Sequence, residues 1–232
     1  MELLFLGTGA ADWDIRKADA SPDFRRFSSL LVDDGLLIDP GPCVYEFERT
    51  FGYEGLYRNV TDVILTHPHG DHFSRETLSR LESDGAVFHP MKAGDTLELD
   101  RYVVRAYAAN HRTAEDPVHF TVESKEDGKR FFYGCDGAWM FYETYRALME
   151  YGHLDLMIFD CTIGDIRGDY RIFEHNNAVM VSEMAATFSG ICSRFMVSHL
   201  ARTLHPATHA ETVKALEKFG LECARDNLRV TV

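Results

Sequence analysis

The chain has 232 residues, 45% hydrophobic and 26% charged, a composition suited to a globular protein with a sizeable core in one domain or two small ones. A net charge of −13 disfavours extended binding to DNA or RNA, and no apolar run reaches the roughly 20 residues of a membrane span. The five cysteines (43, 135, 161, 192, 223) are odd in number and never paired as CxxC, so neither a disulfide framework nor a thiolate zinc knuckle is indicated. That pattern favours a reducing, cytoplasmic setting.

Glu2 to Leu6 reads as a first strand, with no basic leader or cleavage-like site before it. Gly7-Thr8-Gly9 follows as a tight turn; it lacks the GxGxxG spacing of a nucleotide loop. Residues 12–26 are polar and without period, which predicts a surface loop with a lid-like character. Phe27 to Val32 and Leu36 to Ile38 flank Asp33-Asp34-Gly35, a hairpin signal. Asp39-Pro40-Gly41-Pro42 ends the second strand and starts a helix carrying Val44, Phe47 and Phe51.

The strand Val60 to Leu65 feeds Thr66-His67-Pro68-His69-Gly70-Asp71-His72, where four potential metal ligands fall within six residues. A buried strand fixes the backbone while the short loop splays alternate side chains. His67 and His69 can then reach one metal, and Asp71 and His72 a second a few Å away. Imidazole and carboxylate without thiolate suit Zn, Mn or Fe in a hydrolytic site.

Beyond this loop, Ser74 to Leu81 reads as a helix, and Val87-Phe88, Thr96 to Leu99 and Tyr102 to Ala108 as strands. The last ends at Asn110-His111. Val118 to Ser124 and Lys129 to Gly134 form a hairpin that delivers Asp136, with His119 as a packing or supporting residue. Met140 to Tyr151 predicts an amphipathic helix, and Leu154 to Phe159 a buried strand ending at Asp160. A variable loop over 164–169 precedes His175. A helix runs from Asn177 toward Gly190, a strand from Phe195 to Ser198 delivers His199, another helix starts at His205 to Thr208, and Leu228 to Val232 is a last strand.

The HPHGDH loop resembles the HxHxDH signature of the metallo-β-lactamase-fold hydrolases. His111, Asp136 and His199 follow in the order that family uses, each at the end of an apolar run, so the resemblance spans nearly the whole chain. It implies a four-layer α/β/β/α sandwich over 1–232 as a single domain. It also implies two divalent metal ions, Zn or Mn before Fe: His67, His69 and His111 on one, Asp71, His72 and His199 on the other, and Asp136 between them. Asp39 resembles the carboxylate that supports these ligands, or it simply caps the turn.

Asp160-Cys161-Thr162 followed by His175 resembles the D-x-T … H pair of the phosphodiesterase branch, which includes the phosphoribosyl cyclic-phosphate diesterases and the tRNA 3′-processing endonucleases. There a carboxylate orients a histidine that protonates the leaving alkoxide. By that resemblance Asp71, His175 and Asp160 are the catalytic side chains; capping of the following helix is the other reading of His175. Arg202, three residues past His199, is either a phosphate contact or a solvated surface arginine. The cysteine-rich zinc loop and the RNA-gripping arm of those relatives are absent.

The expectation is a hydrolase of a small, anionic phosphodiester (cyclic ones included) working through a hydroxide held between two metals. Extended nucleic acid and membrane are not expected as partners, and a homodimer is left open. Hydrolysis of a lactone, thioester or β-lactam by the same site, or a non-hydrolytic di-iron redox or sensor protein, are the alternatives.

Overall fold

A computed structural model describes every residue, 1–232. The first half of the chain contributes β1 (Glu2–Gly7), β2 (Ser29–Val32), β3 (Leu36–Ile38), α1 (Val44–Phe51), β4 (Asp62–Ile64), α2 (Arg75–Ser83) and β5 (Val87–His89). Then come β6 (Thr96–Glu98), β7 (Tyr102–Ala108), β8 (Val118–Ser124), β9 (Arg130–Gly134) and α3 (Tyr142–Tyr151). The chain finishes with β10 (Leu156–Asp160), α4 (Ala178–Phe188), β11 (Phe195–Ser198), α5 (His209–Glu217), β12 (Glu222–Cys223) and β13 (Arg229–Thr231).

Two sheets form, ordered β13-β1-β2-β3-β4-β5 and β12-β11-β10-β9-β8-β7-β6. In the first, β13 to β3 pair antiparallel and β3 to β5 parallel. The second is antiparallel from β6 to β9 and parallel from β9 to β12.

Period-2 alternation sets the layers. Leu3, Phe5, Leu30, Val32 and Ile38 face Val104, Phe120, Phe131, Tyr133 and Ile158 in the central core between the sheets. The alternate residues Leu4, Leu6, Leu31, Leu37 and Val63 face outward and bury Val44 and Phe47 of α1 and Leu78 and Leu81 of α2. On the far side Phe132, Met157, Phe159 and Val197 pack against Leu148 of α3, Val181, Met184 and Phe188 of α4 and Leu216 of α5. The result is the expected four-layer sandwich. Truncating a central aromatic such as Phe120, fully buried, is expected to cost about 3–5 kcal/mol.

The structure departs from the sequence reading at element ends. Helix α3 starts at Tyr142 rather than Met140. Helix α5 starts at His209 because Thr208 and Glu211 close a capping box there. Strand β12, only two residues long, was not expected, nor was a 3-10 turn at Tyr170–Phe173 just before His175.

The larger correction concerns residues 12–26. Only the first part is a surface loop, for Arg25 and Arg26 are buried. Arg26 donates to Glu46 (2.5 and 2.9 Å) and to Asp226 (3.3 Å), and Arg25 to Thr8 and to the Ala224 carbonyl (both 2.7 Å). A segment anchored by two buried arginines is not a lid.

No helix is long and apolar enough to cross a membrane.

Candidate metal centre

The strands β3, β4, β7, β9, β10 and β11 end along one rim of the sandwich. Their C-terminal ends carry Asp39, the 66–72 loop, His111, Asp136, Asp160 and His199 respectively. Asp39, Asp136 and His199 have φ of 62°, 53° and 57°. Left-handed backbone is uncommon outside glycine, and here it turns three of these side chains inward as their strands finish.

Two groups of donor atoms gather the expected ligands, His67, His69, His111 and Asp136, and Asp71, His72, Asp136 and His199, and a third, Asp136, Asp160, His175 and His199, overlaps them. Within each group all donor atoms lie within 4.8 Å of one another. Asp136 belongs to all three, its Oδ2 standing 3.1 Å from His67 Nε2 and 3.1 Å from His72 Nε2. Every ligand position expected from the sequence therefore converges, including His199, whose ring centre is 5.3 Å from that of His72.

The outer partners of the histidines show what the inner atoms lack. Thr66 Oγ1 donates to Asp39 Oδ1 (2.9 Å), so it accepts the His67 Nδ1 proton (3.0 Å). His72 Nδ1 donates to Asp39 Oδ2 at 2.9 Å. His111 Nδ1 donates to the Glu174 carbonyl (3.2 Å), and His69 Nε2 to the Thr113 carbonyl (3.3 Å). With those tautomers, assigned from their partners, the lone pairs of His67 Nε2, His69 Nδ1 and His111 Nε2 all point inward. They stand 3.0 and 3.2 Å apart with no proton left to place between them.

In the second group His72 Nε2, His199 Nε2 and Asp136 Oδ1 are buried without a hydrogen-bond partner. Asp136 Oδ1 is 2.9 Å from His199 Nδ1, close enough for charge attraction but not aligned as a hydrogen bond. Each unsatisfied buried group costs about 1–3 kcal/mol. Converging lone pairs and carboxylates without donors fit divalent cations, and hard or borderline ones at that, since no thiolate is near.

Electrostatics differ between the first two groups: burial lowers His72 and His199, but Asp136 outweighs it and raises His72 well above its usual value and His199 to about 9. Burial raises Asp136, but His199 and His72 beside it outweigh burial and hold its carboxyl well below the usual carboxylate range. Burial lowers His67 and His111, keeping both imidazoles in the neutral, metal-ready form. Asp39 is a supporting carboxylate: it anchors both Thr66 and His72. His119 supports as well, donating from Nε2 to the Asp136 carbonyl at 3.1 Å, with burial pushing it down to about 4.

His175 stands at the edge of this cluster. Its Nδ1 donates to Asp160 Oδ2 at 2.7 Å and lies 3.2 Å from Thr162 Oγ1. Burial lowers its pKa, but Asp160 and Asp136 prevail and hold it at about 11. The ring lines a cavity of about 260 Å³ whose wall also includes His69, His111, Asp71, Asp136 and His199. A larger groove of about 790 Å³ lies on the outer face of β7 and β8 beside α3, but it gathers no donor cluster.

Two supporting residues were given no role by the sequence reading. Thr162 Oγ1 is 2.8 Å from His199 Nδ1 and donates to the His199 carbonyl (3.0 Å), tying that ligand to the Asp160 strand end. Glu174 Oε2 lies 3.3 Å from His111 Nδ1 and accepts from the Thr113 N–H and hydroxyl, both at 3.2 Å. Thr162 belongs to the D-x-T motif and Glu174 directly precedes His175, which was the only signal available. Arg202, by contrast, is outside the cavity wall: its Nε reaches the Asp12 carbonyl at 3.3 Å, on the surface.

No family model matches the sequence, and no curated protein does. Solved structures do. A metallo-β-lactamase-fold protein of Bacillus subtilis superposes with a TM-score of 0.73 at 12% identity over 99% of each chain. The chain has the metallo-β-lactamase fold. The short form of human tRNase Z aligns over 100% of this chain and 99% of its own, with a TM-score of 0.67 and 19% identity. A diphosphatase of the PhnP family aligns over 100% and 97%, at 0.70 and 17%. At these identities the likeness is one of fold.

Proposed function

We propose that the chain is a metal-dependent phosphodiesterase acting on a small phosphodiester. Two divalent cations, Zn²⁺ or Mn²⁺ before Fe²⁺, would be held by His67, His69 and His111 and by Asp71, His72 and His199, with Asp136 shared. When bound, they supply a water acidified toward neutrality and stabilise the charge that develops on phosphoryl oxygens.

The chain's own groups do the rest. Asp71 lines the cavity, where its carboxylate accepts a hydrogen bond from the attacking water and orients it. Asp160, fully buried, accepts from His175 Nδ1 and stabilises the imidazolium, leaving Nε2 to give its proton to the departing alkoxide. Thr162 and Asn176 hold the frame: the Asn176 amide donates to the Gly137 carbonyl at 2.7 Å and so locks the Asp136 turn beside the helix that follows His175.

The pair of buried Asp160 and half-buried His175 carries this reading. An alkoxide is a poor leaving group and needs a proton, and a carboxylate-oriented histidine beside the donor cluster provides one.

The test is turnover of His175→Ala and parent on two phosphodiesters that differ in leaving-group pKa. The loss is expected to be about 10²–10⁴-fold with an alkyl leaving group and much smaller with p-nitrophenolate, at unchanged metal content. Equal losses on both, or none, contradict the general-acid role. Turnover of esters or lactones alone would move the site to carboxyl chemistry.

A further inference from the structure

The cavity wall holds three carboxylates, from Asp12, Asp71 and Asp136, but a single Lys or Arg: Arg171. It sits on the 3-10 turn Tyr170–Phe173, whose Arg171 carbonyl accepts from the backbone N–H groups of Glu174 (2.8 Å) and His175 (2.7 Å). The turn therefore ties the backbone of Arg171 directly to that of His175. Asp169 takes the Arg171 backbone N–H at 2.9 Å and Nη1 at 2.7 Å, and the Tyr170 ring lies 5.0 Å beneath. No protein acceptor takes Nε or Nη2, and the side chain is 35% exposed. Of the wall carboxylates, Asp12 is already saturated by the Arg202 and Thr203 backbone N–H groups and the Thr203 hydroxyl.

A pre-set guanidinium edge with two free donors is a site for a carboxylate or phosphate oxygen pair. Its location says which part of the substrate supplies that pair. His175 delivers its proton to the leaving oxygen, so the leaving alcohol lies on the His175 side, and Arg171 borders that side.

We propose that Arg171 binds a second anionic group, carried by the leaving alcohol of the substrate. The site thus selects diesters whose leaving alcohol bears a carboxylate or a phosphate. This rests on the phosphodiesterase reading for the identity of the reaction but not for the preference itself.

The experiment uses methyl aryl phosphodiesters whose leaving phenol carries a meta hydroxymethyl, carboxymethyl or phosphonooxymethyl group. The acetate esters of the same phenols are run in parallel on the metal-loaded protein. The parent is expected to favour an anionic tail at least about tenfold in kcat/KM, mainly through KM, and the ranking of carboxymethyl against phosphonooxymethyl identifies the anion. Arg171→Met should abolish that preference, Arg171→Lys should keep part of it, and Arg202→Met should leave it as in the parent. Calorimetric binding of 3-(phosphonooxymethyl)phenol against 3-(hydroxymethyl)phenol should show the same ratio, and the same loss in Arg171→Met.

A parent without tail preference, a preference that survives Arg171→Met, or an equal loss on all three tails would overturn the assignment. Turnover of the acetates and not the diesters would overturn the phosphodiesterase reading alone, because the tail preference would still be read on the acetates. If neither class turns over, the calorimetric ratio decides.

Discussion

Two buried polar clusters lie on either side of the Gly7–Gly9 turn, and they are built on opposite logic. In one, Arg25 and Arg26 meet Asp226, Glu46 and Thr8, two cations against two carboxylates, and none of their buried side-chain atoms lacks a partner. In the other, Asp39, Asp71, Asp136 and Asp160 are gathered around histidines, and His72 Nε2, His199 Nε2 and Asp136 Oδ1 are buried without a hydrogen-bond partner. Thr8 joins the two regions: its hydroxyl donates to Asp226 at 2.9 Å while its carbonyl accepts from Leu200, next to His199, at 2.9 Å. The first cluster is complete as protein; the second becomes complete only with cations. Burial and polarity alone do not mark a site, whereas unmet donor geometry does.

That contrast is open to attack at several points. Asp136→Ala removes the carboxylate common to both donor groups, so activity should fall by orders of magnitude and metal affinity with it. Asp127→Ala, at an exposed hairpin turn where the carboxylate meets only the chain's amino terminus and local turn groups, should change turnover little. Equal effects in a kinetic assay would dissolve the distinction.

Arg26→Met should do the reverse. Leaving buried Asp226 and half-buried Glu46 without their guanidinium is expected to cost about 3–5 kcal/mol in denaturant unfolding, with the metal stoichiometry of the folded protein unaltered. Next in size is Glu174→Ala, which removes the carboxylate beside His111 Nδ1 and releases the Thr113 loop while the Glu174 carbonyl still holds His111. The expected outcome is a 10–100-fold rise in metal dissociation constant, read by competition with a chromogenic chelator.

The smallest effect concerns His205, half-buried and donating from Nε2 to the Cys161 carbonyl at 2.8 Å. Burial pushes its pKa down to about 4, with Arg25 adding to the shift and the Cys161 carbonyl and Asp160 opposing it. A folded pKa below the unfolded value of 6.5 means that stability is fully present above pH 6.5 and is lost as pH falls toward 4. At pH 5 the loss is on the order of 2 kcal/mol, and His205→Gln should flatten that part of a stability-versus-pH curve.

Much of this was readable in the sequence because strand alternation and ligand types are local signals. Tyr102–Ala108, Val118–Ser124 and Phe195–Ser198 are strands with the ends that their apolar and β-branched patterns predict. The convergence of His111, Asp136 and His199 on the 66–72 loop followed from the resemblance, since no local pattern states which strand ends meet. What stayed hidden depends on partners distant in the chain. Arg25 and Arg26 look like loop residues until Glu46 and Asp226 are seen beside them, about 20 and 200 positions away. Glu174 and Arg171 sit in a segment without apolar period, where a 3-10 turn is too short to announce itself. Arg202 drew attention by its proximity to His199 in sequence, yet its backbone N–H, tied to Asp12, turns the side chain along the surface.

The central claim is that the rim cluster is a two-cation site with Asp136 in common. Its most direct test is equilibrium dialysis of the metal-stripped chain against Zn²⁺ and against Mn²⁺, followed by elemental analysis. The account predicts two ions per chain in the parent and fewer, more weakly held, in Asp136→Ala. Full occupancy surviving that substitution, or a parent that retains no divalent ion, would contradict it.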